Sequence, residues 1–257
     1  MTIFLGRDLL QKERYELKYL VPESAVSDLR SFVRTYLAPD KYVTRGGPVS
    51  YQVNTLYLDA PSLLLCRQTQ DGIRNRFKLR MRWYDSSQES PAFVEIKQRT
   101  DDMIHKLRAQ VTKQEMQLLV QGGCLPFSSQ DHTNEIDVVA EFCDRRDRLL
   151  ASEIVLVTYA REAYESPLGN HARVTFDREI RGQCCGGDNF GLLENRQSEL
   201  SEISDGKVVM EVKFTQQMPG WISDLIRIFH LQRVSFPKYV ACVEALGISS
   251  STEMIRN

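Results

Sequence analysis

The chain has 257 residues, 42% hydrophobic and 26% charged, and its 33 Lys and Arg against 34 Asp and Glu give a formal net charge of −1. That is enough chain for one large domain or two small ones, with a sizeable core. The charge balance argues against a general nucleic-acid binder, and no apolar run approaches the length of a membrane-spanning helix.

Residues 1–8 (MTIFLGRD) lack the pattern of a secretion signal, so a cytoplasmic location is expected. The six cysteines form no CxxC pair, and adjacent Cys184 and Cys185 make a poor disulfide framework, which points to free thiols. The four histidines are scattered, with no HExxH. Neither GxxxxGK[ST] nor GxGxxG occurs, so any phosphate chemistry proceeds without a P-loop.

In chain order, Arg14 to Val21 reads as a strand, with Arg14, Glu16 and Lys18 on one face and Tyr15, Leu17 and Tyr19 on the other. Pro22 stops it, and Val26, Leu29, Val33, Tyr36 and Leu37 predict an amphipathic helix over 23–37. Pro39 and Gly46-Gly47-Pro48 mark a loop. A strand over 51–59 and a short apolar helix near 61–68 follow.

Arg76 to Trp83 has the strongest pattern in the chain. Arg76, Lys78, Arg80 and Arg82 share one parity, and Phe77, Leu79, Met81 and Trp83 share the other. Same-face neighbours on a strand lie about 7 Å apart. Each adjacent like pair then costs roughly 2 kcal/mol at an effective dielectric near 20. An ordinary solvated face mixes signs; this one does not. A polar turn at 85–91 leads to a second strand, 93–99, with Glu95, Lys97 and Arg99 on one face, and the alternation repeats over Lys106–Gln110. Helices are predicted over 112–121, ended by Gly122-Gly123, and over 135–150 beyond a polar loop at 128–133. Strands are predicted over 154–164, 172–178 and 208–214, with loop and short strand over 182–206. An amphipathic helix at 219–230 and a last helix reaching about 246 close the chain.

Glu16/Lys18, Glu95/Lys97 and Glu211/Lys213 are three ExK units, each on a predicted strand with both charges on one side. If these strands join one closing antiparallel sheet, the charges face a common interior. Unpaired charge cannot fill a dry core. Such an interior must hold water and anions, and its carboxylates could bridge a metal, which makes it a channel for a polyanion, with Arg forks on phosphate oxygens. The alternative is ordinary surface ion pairing on an open sheet.

The units Arg14–Tyr19, Arg76–Arg82, Glu95–Lys97, Tyr159-Ala160-Arg161, Arg173–Asp177, Glu211–Lys213 and Lys238-Tyr239 run in this order over nearly the whole chain. The combination resembles the triphosphate tunnel metalloenzyme (CYTH-like) superfamily and, within it, the VTC (polyphosphate polymerase) domain family. The CYTH branch typically opens with ExExK; Arg14 stands where the first Glu of that motif would be, which favours the VTC branch. The resemblance implies one domain over 1–257 of α+β class, an antiparallel β-barrel tunnel of about eight strands flanked by α-helices. It implies transfer of the terminal phosphoryl group of ATP to a growing polyphosphate chain, releasing ADP, with Mn2+ or Mg2+. By the same carry-over Lys18, Arg80, Arg82, Lys97, Arg161, Arg173 and Lys238 grip phosphates as the catalytic set, joined by Arg76, Lys78, Lys106, Arg108 and Lys213. Glu211 is the foremost metal-ligand candidate, followed by Glu16 and Glu95, either of which an ion pair with a neighbouring cation could occupy instead.

The chain departs from the family where Ser-Lys-Tyr is common: Pro237 precedes Lys238, and Ser235 lies three residues before it. A hydrolase of tripolyphosphate or nucleoside triphosphates in the same tunnel, and a non-catalytic polyphosphate-binding module, are the competing readings. The expected partners are ATP and inorganic polyphosphate or triphosphate, not nucleic acid. With no membrane segment of its own, export of a product would need a membrane partner protein.

Overall fold

The computed structural model describes residues 14–40, 42, 49–85, 89–101, 103–125, 133–167, 172–185, 200–215 and 217–250. The predicted Gly46–Pro48 loop, most of the 128–133 loop and residues 186–199 of the predicted 182–206 loop lie outside them. One sheet contains β1 (Arg14–Pro22), β2 (Ala38–Pro39), β3 (Tyr51–Asp59), β4 (Arg76–Trp83), β5 (Ala92–Thr100), β6 (Met103–Val111), β7 (Ser152–Glu165), β8 (Arg173–Cys184), β9 (Ser201–Glu202) and β10 (Lys207–Thr215). Its order is β1-β10-β8-β7-β3-β4-β5-β6, antiparallel throughout, with β2 added to β7 and β9 to β8. The helices are α1 (Glu23–Val33), α2 (Leu64–Gln70), α3 (Lys113–Val120), α4 (Thr133–Leu149), α5 (Gly220–Ile228) and α6 (Lys238–Ala245).

The sheet curls into a half-barrel. Among the described residues its end strands, β1 and β6, do not pair with each other. The outer edge of β1 is occupied instead: Tyr19 bridges to Arg233, and the Val234 N–H donates to the Lys18 carbonyl. Two cores cover the convex face, where the apolar parity of each strand points. Leu79, Met81, Val94, Ile96 and Ala109 pack with Met116 and Leu119 of α3 and Phe142 of α4. Val21, Val174, Phe176, Met210 and Val212 pack with Val26 and Leu29 of α1 and Ile222 and Leu225 of α5.

A third core lies on the concave face. Val53 and Tyr57 share the parity of Thr55, Val155 and Val157 that of Tyr159, and Val209 that of Glu211. They meet Tyr239, Cys242 and Val243 of α6 and Cys66 of α2. The inner surface is therefore apolar where α6 plugs it and charged elsewhere. Gly182 permits the close approach, because a Cβ there would sit 3.1 Å from the Cys242 sulfur.

Three elements differ from the sequence expectation. Helix α1 ends at Val33 rather than 37, because Ala38–Pro39 pairs with β7 and Pro39 holds the residue before it extended. Strand β8 continues to Cys184, six residues past the predicted end; Gly182 and Gln183 break the apolar alternation yet still pair with Val157 and Leu156. Strand β6 spans Met103–Val111, longer than its five-residue signal.

Asp59, fully buried at the end of β3, fixes α2 and α6 together. It accepts from the N–H groups of Ala60 (2.7 Å), Leu65 (2.9 Å) and Cys66 (2.9 Å) and from the Tyr239 hydroxyl (2.7 Å). Burial pushes this carboxyl above its ordinary range, even against those four donors. The Tyr239 ring also stacks on Tyr57, 4.7 Å between centroids. Tyr239→Phe keeps the stack and removes one donor to a buried carboxylate. It should lower the unfolding free energy by about 1.5–3 kcal/mol, read from urea midpoints; an unchanged midpoint would show that the bond contributes nothing.

Candidate anion-binding cavity

Strand register turns the charged parities into rows. Lys78 of β4 lies opposite Lys97 of β5, which lies opposite Lys106 of β6. The next row is Arg80, Glu95 and Arg108. On the other flank Lys18 of β1 faces Glu211 of β10, and Glu211 faces Thr175 of β8. The curl brings these flanks together, so that Lys97 Nζ reaches Glu16 Oε2 at 3.2 Å.

Between them lies a cavity of about 460 Å³, lined by eleven Lys and Arg side chains and two carboxylates, Glu16 and Glu211. Nine of the sequence-predicted cations line it: Lys18, Arg76, Lys78, Arg80, Arg82, Lys97, Arg161, Lys213 and Lys238. Arg99 and Arg233 complete the set. Arg173, Lys106, Arg108 and Glu95 are not among the lining residues. Arg173 is held by Asp40 (2.7 Å) and Glu165 (3.0 Å).

Glu95 sits in the wall at 0% exposure, and its two oxygens serve four cations: Arg80 (2.6 Å), Lys106 (2.6 Å), Arg108 (3.4 Å) and Arg82 (3.9 Å). Burial pushes this carboxyl up, and the cations, Arg80 first, outweigh it and hold it far below the carboxylate range. The cost falls on Lys106: burial outweighs the pull of Glu95 and lowers it to about 7.

The opposite wall is a second network. Arg161 makes a bidentate pair with Asp177, at 2.7 Å on each oxygen. Lys238, the first residue of α6, reaches Asp177 at 2.6 Å and Glu211 at 2.7 Å, while Lys213 holds the other Glu211 oxygen at 2.9 Å. Pro237 thus caps α6 and leaves the Lys238 ammonium inside the network. Lys18 donates to the Phe236 carbonyl (3.1 Å) and tethers the segment before α6 to β1. Arg82 Nε donates to the Thr55 hydroxyl (3.1 Å), close to the Tyr159 hydroxyl. A bulge places Tyr159 there: the β7–β8 register slips between Thr158 and Ala160, opposite Glu179 at φ 48°.

Lys78 stands apart. No carboxylate pairs with it among the described residues, and burial, then Lys97, Lys18, Arg80 and Arg76, push it down to about 7. For Lys97 the pull of Glu16 is the largest influence, but burial with Lys18, Lys213 and Arg80 outweighs it and leaves about 8.

Sequence reasoning gave no role to Asp177, Thr55 or Arg233. Asp177 follows the alternation of β8, so its inward face was legible. Arg233 lies outside any predicted strand, and only its place upstream of Lys238 marks it.

Among the described residues no three His, Cys, Asp or Glu side chains converge to hold a metal. Glu16 and Glu211 nevertheless fit a hard divalent cation, since both line the cavity on neighbouring strands. Mg2+ and similar ions typically take one or two carboxylates and complete their shell with water and phosphate oxygens. In all three glutamates both oxygens meet cations. Glu16 and Glu211 face the cavity, where a bound metal can displace the lysines, whereas Glu95 is fully buried in the wall outside the lining and does not fit.

A curled antiparallel sheet that gathers cations around its concave cavity defines the class: a tunnel-fold domain. A family model described as the VTC domain matches residues 13–247, and the chain belongs to that family. Among solved structures it is similar to bh2851 from Bacillus halodurans, described as a candidate adenylate cyclase, at TM-score 0.50 and 13% identity over 88% of this chain and 94% of that one. That likeness supports the fold. It is also similar to the PH1819 protein from Pyrococcus horikoshii OT3, at TM-score 0.44 and 14% identity over 93% of this chain and 99% of that one. No curated protein matches the sequence. No helix among the described residues is long and apolar enough to cross a membrane.

Proposed function

We propose that the domain binds the triphosphate of ATP and inorganic polyphosphate in this cavity, and transfers the terminal phosphoryl group of ATP to the polyphosphate chain. The observation that carries this reading is the lining: eleven cations face the cavity, and Glu16 and Glu211 with the wall carboxylates Glu95 and Asp177 set only four negative charges against them, in a chain whose net charge is −1. A neutral ligand would leave that excess uncompensated, whereas a polyphosphate supplies roughly one charge per phosphate along a line.

Phosphoryl transfer asks mainly for positioning and charge neutralisation. Arg80, Arg82 and Arg161 are pre-oriented by Glu95, Thr55 and Asp177, so their forks need little reordering to meet phosphate oxygens. Lys18, Lys78, Lys97 and Lys213 add point charges along the path. The attacking oxygen of a polyphosphate end is already anionic, so no side chain has to remove a proton from it. Glu211 and Glu16 would hold the divalent metal, which supplies neutralisation of the charge developing on phosphate oxygens. Lys106 and Arg108 keep Glu95 charged, and Arg173 lies with Asp40 and Glu165; we assign these three to support rather than phosphate contact.

The test is incubation of the purified protein with ATP and Mn2+ or Mg2+, with products resolved by gel and ADP and phosphate measured. Long polyphosphate with matching ADP is the expected result. Free phosphate without chains would replace the polymerase by a triphosphatase in the same cavity. No turnover, with ATP still raising thermal stability, would leave a binding module. Stabilisation by ATP should weaken steeply with added salt.

A further inference from the structure

Register sets three lysines side by side, Lys78, Lys97 and Lys106, where direct opposition of like charges is unfavourable. Two of them have carboxylates: Glu16 for Lys97 and Glu95 for Lys106, at 3.2 and 2.6 Å. Lys78 has none among the described residues. The groups around it are Lys97 from β5, Lys18 from β1, Arg76 and Arg80 from its own strand, and the buried Cys66 thiol from α2. Its amine lies in the cavity lining, not in the closed wall.

We propose that Lys78 is a modification site, the amine that takes an acyl group from small acyl phosphates drawn into the cavity. A carboxylic–phosphoric anhydride brings together a phosphate for the arginines and an electrophilic carbon beside it for the amine. In the step, the Lys78 Nζ lone pair attacks the carbonyl carbon and a C–N bond forms. The C–O bond to phosphate breaks, its electron pair leaves with inorganic phosphate, and the proton shed by nitrogen goes to phosphate or solvent. The product is an amide that has lost the positive charge. Lysines made reactive by burial or a neighbouring cation are known nucleophiles, because the neutral amine is populated near neutral pH. The placement among cations agrees with the downward push on Lys78 to about 7. Acylation would cancel the lining lysine that no carboxylate restrains among the described residues, so the level of activated acids would tune anion binding.

The inference rests on anion binding by the cavity, not on turnover. The full chain is incubated with acetyl phosphate at pH 8, and acetylation is followed by site-resolved mass spectrometry at Lys78 and at the exposed Lys207. Lys78 should be acetylated about tenfold faster, since a much larger neutral fraction outweighs the lower nucleophilicity of a weaker base. Excess tripolyphosphate should suppress that labelling and leave Lys207 unchanged. Equal rates at the two sites, or labelling of Lys78 that tripolyphosphate does not slow, would overturn the proposal. A protein that made no polyphosphate yet showed the protected, selective labelling would uphold it while overturning the polymerase reading.

Discussion

Glu95→Gln should lower the unfolding free energy by about 3–5 kcal/mol, the cost of removing one partner from a buried ion cluster. The substitution is nearly isosteric, so no cavity forms. What changes is charge: Arg80, Arg82, Lys106 and Arg108 converge on Glu95 and would lose the carboxylate that all four contact. At 0% exposure the site admits little screening. Tripolyphosphate or sulfate should raise the melting temperature of the variant more than that of the parent, because an external anion can replace part of the missing charge. Acid titration gives an independent check. A carboxyl held far below its unfolded range contributes stability that is full at neutral pH and lost as pH falls through about 4.3 and below. The variant lacks that group, so its stability should fall less steeply in acid. Equal urea midpoints for variant and parent would show that the cluster does not hold the wall together.

The sequence announced this arrangement because strands translate parity into sidedness. Arg76, Lys78, Arg80 and Arg82 could share a face only on a strand, and three ExK units on separate strands could share an interior only in one curled sheet. Register was not legible. Whether Lys78 lies opposite Lys97 or Glu95 depends on the β4–β5 turn, and a slip of two residues preserves the same alternation. For the same reason Glu95 resembled a metal ligand: sequence places it on the inner face but cannot show that four cations surround it. The ends of α1 and β8 were hidden by pairing with distant strands, which local periodicity does not report. Cover of the outer β1 edge by residues 233–234, rather than by β6, depends on a segment with no periodicity at all.

Lys78→Met should move stability and binding in opposite directions. Most substitutions at a paired cation orphan a carboxylate; this one orphans nothing among the described residues, and it relieves repulsion from Lys97, Lys18, Arg80 and Arg76. The folded protein holds the Lys78 proton with a pKa of about 7, against about 10.4 for an ordinary lysine. Between those values the unfolded chain binds the proton more tightly, so the contribution of Lys78 to stability rises with pH across that window and is least favourable below it. The variant should therefore exceed the parent by about 1–2 kcal/mol near pH 6, a figure reduced from the full shift because solvent still reaches this side chain. The two should converge as pH approaches about 10. Tripolyphosphate affinity should meanwhile fall by about 10- to 100-fold, the loss of one charge-assisted contact. Urea midpoints across pH and calorimetric titration read the two effects separately. A variant less stable than its parent would mean that Lys78 is held by a partner and is not the surplus cation of its row. Unchanged affinity would remove Lys78 from the phosphate path and leave Lys97, Lys18 and the arginines to carry it.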